Sequence, residues 1–182
     1  MNKPRFITSK SHERHELARG VKAGQLQRVA RGVYTSAVSY EAVVAFSLAH
    51  PQAILTLKTA LQIYGMSDSF PLAPFDLAFK AGSRKNSDPH LHQYFISSAL
   101  FPLGRAIYKW EGYSLPIYDK ERLLIEIFRF QKRLDPDTYK RAIFFYRDLA
   151  NSNRFLSSRF EEYASYFPNQ KELLRRLEME VL

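Results

Sequence analysis

The chain has 182 residues and no cysteine, with 46% hydrophobic, 14% aromatic and 25% charged residues. This is the make-up of a soluble globular domain, which excludes collagen, disulfide scaffolds and long disorder; without cysteine, thiol catalysis and thiolate metal sites are excluded too. The apolar runs are too short to span a bilayer, and the start, MNKPRFITSK, lacks the apolar stretch of a signal peptide, so the expected location is the cytoplasm, with no membrane association.

The net charge is +9, and +6 of it lies in residues 1–35, where Lys3, Arg5, Lys10, Arg14, Arg19, Lys22, Arg28 and Arg31 meet only Glu13 and Glu16. The remainder of the chain is nearly balanced. A local cationic segment points to a polyanionic partner for that segment; the plainer alternative is a basic terminus that only aids solubility.

In chain order, Ser11 is a candidate N-cap for a helix running to Ala23, closed by Gly24. At helical spacing Leu17 and Val21 share a packing side, while His12, His15, Arg19 and Lys22 share an arc away from it. Leu26–Val29 and Val33–Thr35 read as a β-hairpin turning through Ala30, Arg31 and Gly32. Ser39 then caps a helix ending at His50 before Pro51. A short strand follows at Ala53–Leu57, then a helix over Lys58–Tyr64. Strands are expected near Phe75–Lys80, His92–Ser98, Arg105–Trp110 and Tyr113–Tyr118, with the polar run 81–90 as an exposed loop. The last third is helical: Asp119 caps a buried helix, Asp135-Pro136 opens another, and two further apolar stripes run Leu156–Phe167 and Leu173–Val181. The fold class is therefore α+β, divided into a basic helix-hairpin unit over residues 1–36 and an α+β body over 37–182.

No enzymatic signature survives inspection. His12 and His15 are three residues apart, where the zinc-protease motif needs four, and exposed histidines on a basic helix explain them better. The pair His90 and His92, next to Asp88, would face one side of a strand and could gather a metal; a polar loop entering an edge strand explains it equally well. Gly82-Ser83 with Asp88 faintly resembles the start of a nucleotidyltransferase site, but no paired carboxylates follow. Phosphate loop, dinucleotide fingerprint and nucleophile elbow are all missing. Asp76, Asp119, Glu121 and Glu126 sit where strand and helix ends would use them structurally, and an endonuclease-like use of some of them stays open. Catalytic residues, metal ligands and cofactors are expected to be none.

The constellation that carries a mechanism is the basic helix followed by the basic hairpin. In winged-helix proteins a helix enters the major groove and a hairpin wing grips phosphates. Here Lys22, Arg28 and Arg31 would meet phosphates, with the backbone at Gly32 beside them, His15 and Arg19 would reach base edges, and Arg14 belongs to the same DNA-binding set. The bland alternative is a helix-hairpin appendage that packs on the sheet.

Val21–Tyr34 (VKAGQLQRVARGVY) resembles the end of the winged helix in AbiEi-type antitoxins and related bacterial abortive-infection regulators. Ile54–Ser67 (ILTLKTALQIYGMS) and Leu115–Phe128 (LPIYDKERLLIEIF) resemble the same family, in the same order, so that the likeness spans residues 6–150 in pieces. The resemblance implies a transcriptional regulator that binds DNA upstream of its own operon and antagonises a nucleotidyltransferase-like toxin without a tight complex. Arg28, Arg31, Gly32 and Tyr34 would then belong to the wing, and Arg19 and Lys22 to the preceding helix. The family offers no catalytic residue.

One departure stands out: only Met1–Lys10 precede the basic helix, whereas a full helix-turn-helix places one or two helices before it. Either the unit is a reduced winged helix, or the reading frame begins further upstream, or DNA binding has been lost. Phe6-Ile7-Thr8 could pair with the wing as a third strand and give Leu17 and Val21 a surface to pack on. The competing function is a non-enzymatic interaction protein whose basic segment binds a protein or RNA.

Overall fold

A computed structural model describes residues 6–9, 14–66 and 70–182; the expected cap at Ser11 and the residues His12 and Glu13 lie outside them. Among the described residues there are two sheets and seven α-helices, so the chain is α+β.

The first sheet has three strands in the order β1-β3-β2, from β1 (Phe6–Thr8), β2 (Gln27–Ala30) and β3 (Val33–Thr35), all antiparallel. Phe6-Ile7-Thr8 thus does pair with the wing. Helix α1 (Arg14–Lys22) precedes the hairpin. It buries Leu17, but Val21 is 39% exposed, so the packing side is narrower than its spacing suggested.

The body is built on a five-stranded sheet, ordered β6-β5-β4-β8-β7. Its strands are β4 (Ile54–Leu55), β5 (Phe75–Lys80), β6 (Leu91–Ile96), β7 (Arg105–Trp110) and β8 (Tyr113–Tyr118). β7 and β8 match the expected strand ranges and pair as an antiparallel hairpin, Arg105 opposite Tyr118 and Trp110 opposite Tyr113. β5 and β6 run parallel, so the chain must return the length of a strand between them. Six residues of strand span about 20 Å, and the ten residues 81–90 reach about 33 Å when extended, so this loop closes the connection without a helix. β6 starts one residue earlier than expected, at Leu91, and ends at Ile96 rather than Ser98. β4 is only two residues long because Leu57 takes a φ of +43°, turning the chain straight into α3 (Leu57–Ile63). The helix expected from Ser39 is shorter: α2 spans Ala42–Ala49, and its N-cap, Glu41, makes no side-chain cap bond.

Helix α4 (Lys120–Arg129) is the centre of the body. Every residue from Glu121 to Phe128 is buried, and α3, α6 (Ser157–Ala164) and α7 (Gln170–Glu180) pack on it. Asp119 caps it as expected, accepting the Arg122 N–H at 2.9 Å and the Tyr163 hydroxyl at 2.8 Å. The tail folds back on the body, burying Leu173, Leu177 and Val181.

Helix α5 (Pro136–Asn151) opens on Asp135, whose carboxylate accepts the Thr138 N–H at 2.8 Å. These bonds to Thr138 hold the carboxyl below its ordinary value. Asp135→Ala is expected to cost about 1 kcal/mol. A depressed carboxyl stabilises the fold fully above the unfolded-chain value of about 3.9, and the contribution is lost as pH falls through the lower folded value. Urea unfolding of both proteins should therefore show their stability gap narrowing in acid; a gap that widens there contradicts the cap.

Candidate nucleic-acid interface

The basic unit holds five described cations: Arg14, Arg19 and Lys22 on α1, and Arg28 and Arg31 on the hairpin. All five are exposed, and among the described residues none has a carboxylate partner. Arg28 makes only a local bond, Nε to the Ala30 carbonyl at 3.4 Å. His15 is exposed beside them.

Strand alternation sorts the hairpin. Tyr34 lies opposite Arg28 on one side and Ile7 on the other, so these three share a face. The opposite face carries Phe6, Val33 and Thr35, of which Val33 and Thr35 are fully covered. Leu17 and Val33 are buried outside the main core cluster, whereas Phe6 and Ala30 pack against it. Phe6 docks the unit through edge contacts to Tyr40 and Tyr113, at 6.0 and 5.4 Å between ring centroids. Tyr34 is half-buried, a support for the outer face with part of its surface open.

Gly32 takes a φ of +72°. Its carbonyl accepts the Ser9 N–H at 2.8 Å, and a Cβ would stand 2.9 Å from Ser9 Oγ. The glycine therefore makes the turn and lets β1 approach it. Arg31, next to it, contributes to lowering the pKa of His50, the residue ending α2, an effect that burial dominates.

In the body, the singled-out carboxylates have structural partners. Glu121 accepts the Leu156 N–H at 3.0 Å, and Glu126 pairs with Arg122 and with Arg129. Asp76 is buried and accepts from the Lys58 N–H at 3.0 Å, the Tyr94 hydroxyl at 3.2 Å and His92 Nδ1 at 3.2 Å. Burial raises the Asp76 pKa, and the neighbouring histidine opposes that shift. His90 precedes the strand and bonds Asp88 instead, at 3.0 Å, so the two histidines turn to different aspartates. Among the described residues no three His, Asp or Glu side chains gather to hold a metal. Sequence reasoning named Asp76 and His92 separately and missed that parallel pairing sets them opposite each other.

No helix among the described residues is long and apolar enough to cross a membrane. No family model and no curated protein matches the chain. Among solved structures the chain is similar to the crystal structure of the RV2827C protein from Mycobacterium tuberculosis, at 17% identity and a TM-score of 0.64. The match covers 89% of this chain and 64% of that one, so the chain spans a little under two thirds of the neighbour's length and shares its fold.

Proposed function

We propose that the chain is a cytoplasmic, non-enzymatic DNA-binding regulator of the antitoxin type, from a bacterial toxin-antitoxin or phage-defence system. Residues 1–36 serve as a reduced winged helix that binds the operator of its own operon, and the body antagonises a nucleotidyltransferase-like toxin. The observation that carries this is the set of five exposed cations on α1 and the hairpin, none met by a carboxylate among the described residues. In the body, Arg122, Arg129, Arg141, Arg159, Arg175 and Arg176 are ion-paired, while Arg84, Arg105, Arg133, Arg147 and Arg154 have no carboxylate partner among the described residues; the basic unit differs in that none of its described cations is paired. Unpaired arginines on a helix and wing are free to displace counterions from a phosphate backbone. The three-stranded support under the hairpin supplies the rigidity such a grip requires.

The test is a gel shift comparing DNA from upstream of the protein's own gene with unrelated DNA and RNA of equal length. Retardation of the upstream DNA at lower protein concentration than either competitor is expected. Equal or tighter binding to RNA, or no shift, sinks the operator reading.

A further inference from the structure

A cleft of about 700 Å³ opens along β6, the outer strand of the body sheet, between the 81–90 loop and the turn after α4. Its lining residues, Lys85 to Arg133, lie apart from those of the hairpin in sequence. Lys85 comes from the loop, His92, Tyr94 and Phe95 from the strand, and Phe130 and Arg133 from the turn. Three features distinguish it from a surface groove.

The Arg133 guanidinium stands 5.4 Å from the centroids of both Tyr94 and Phe130, whose rings meet edge to face at 5.0 Å. Contact with two rings holds the guanidinium at this end of the cleft, and no carboxylate among the described residues pairs with it. His92 is fixed as well: Nδ1 is bonded to the buried Asp76 carboxylate, which leaves Nε2 for a ligand. Lys85 adds an exposed cation without an ion pair. The third feature is aromatic surface left open beside these groups: Phe130 is half-buried and packs on Tyr94, which shares the His92 face of β6. Gln93, which could otherwise compete for a polar ligand, is spent on the Asn86 backbone at 2.8 and 2.6 Å.

A planar fork, an ammonium and an oriented imidazole suit a phosphate group, and open aromatic faces suit a base. The volume is right for one nucleotide, within the roughly 300–1,000 Å³ of small-molecule sites. We infer that this cleft binds a nucleotide, with Lys85, His92 and Arg133 on the phosphate and the base against the open side of Phe130. The source is either a free nucleotide or a terminal nucleotide of a strand, since both present the same phosphate and ring.

Calorimetric titration in an Arg14→Ala/Arg19→Ala/Lys22→Ala/Arg28→Ala/Arg31→Ala background, which removes all five described cations of the basic unit, separates this site from the DNA reading. The probes are adenosine 5′-monophosphate, adenosine, inorganic phosphate and a short 5′-phosphorylated oligonucleotide. Saturable binding of the monophosphate or the oligonucleotide, weakened about tenfold or more by Arg133→Gln and by Lys85→Gln, is expected, since each removes a charge-assisted bond. Binding of the oligonucleotide alone places the ligand in a strand; binding of the monophosphate makes it free. The inference is overturned if neither binds at millimolar concentration, if adenosine or inorganic phosphate binds as well as the nucleotide, or if both variants bind unchanged while their thermal unfolding matches the parent.

Discussion

Arg122→Ala should lower the unfolding free energy by about 3–5 kcal/mol, the cost of breaking a buried ion pair from one side. For a chain of this size that is a fall in Tm of roughly 6–20 °C. The side chain is fully buried in α4. Its Nε donates to the Leu103 carbonyl at 3.2 Å, one terminal nitrogen donates to the Leu100 carbonyl at 3.4 Å, and the other pairs with Glu126. The guanidinium lies 4.7 Å from the Tyr118 ring and 4.9 Å from the Phe167 ring, so it also packs the joint between sheet and C-terminal helices. Truncation strands two carbonyls and leaves Glu126, 1% exposed, to Arg129 alone. Gly104 is tied to the same place: a Cβ there would stand 2.3 Å from Arg122 Cβ. The double variant Arg122→Met/Glu126→Met removes the stranded carboxylate and fills the slot between the rings, and should recover most of the loss. Guanidinium unfolding curves check both; an Arg122→Ala variant within about 1 kcal/mol of wild type would show the pair to be incidental.

Arg28→Ala/Arg31→Ala should weaken binding to every DNA sequence, by about tenfold to a hundredfold at moderate salt, while leaving thermal unfolding unchanged. Both residues are exposed, and neither pairs with a carboxylate, so the fold loses little when they go. Phosphate contacts are indifferent to sequence, so upstream and unrelated DNA should lose affinity alike. His15→Ala should behave differently if the ring reaches base edges, since losing a base contact narrows the gap between the two DNAs. Fluorescence anisotropy on labelled duplexes reads both effects.

The parts of the fold legible in the sequence are those written in local chemistry. Asp119 and Asp135 followed by proline fix the starts of α4 and α5, because a capping carboxylate and a preset φ act within one turn. The β7–β8 hairpin was legible for the same reason, its two strands separated only by Glu111 and Gly112. What depends on distant residues was not. Ser39 has the right side chain for a cap, yet the helix starts later, at Ala42. Val21 has the right spacing for a core, yet it stays 39% exposed. In the candidate interface, sequence located the cations but could not say which would be neutralised. That depends on carboxylates brought by folding, which reach six arginines of the body and none of the described cations of the helix and hairpin. The Asp76–His92 contact was hidden by a similar cause. The two residues lie sixteen apart in sequence and meet only because β5 and β6 run parallel across the 81–90 loop.

The central claim is that the cations of α1 and the hairpin are phosphate contacts. The most direct measurement is the salt dependence of affinity for the upstream DNA, in wild type and in Arg28→Ala/Arg31→Ala. If the four described cations other than Arg19, which is set on a base edge, engage phosphates, log K should fall against log salt with a slope of about −3.6, and the double variant should be shallower by about 2. A wild-type slope near zero, or one that the double variant leaves unchanged, would contradict the account.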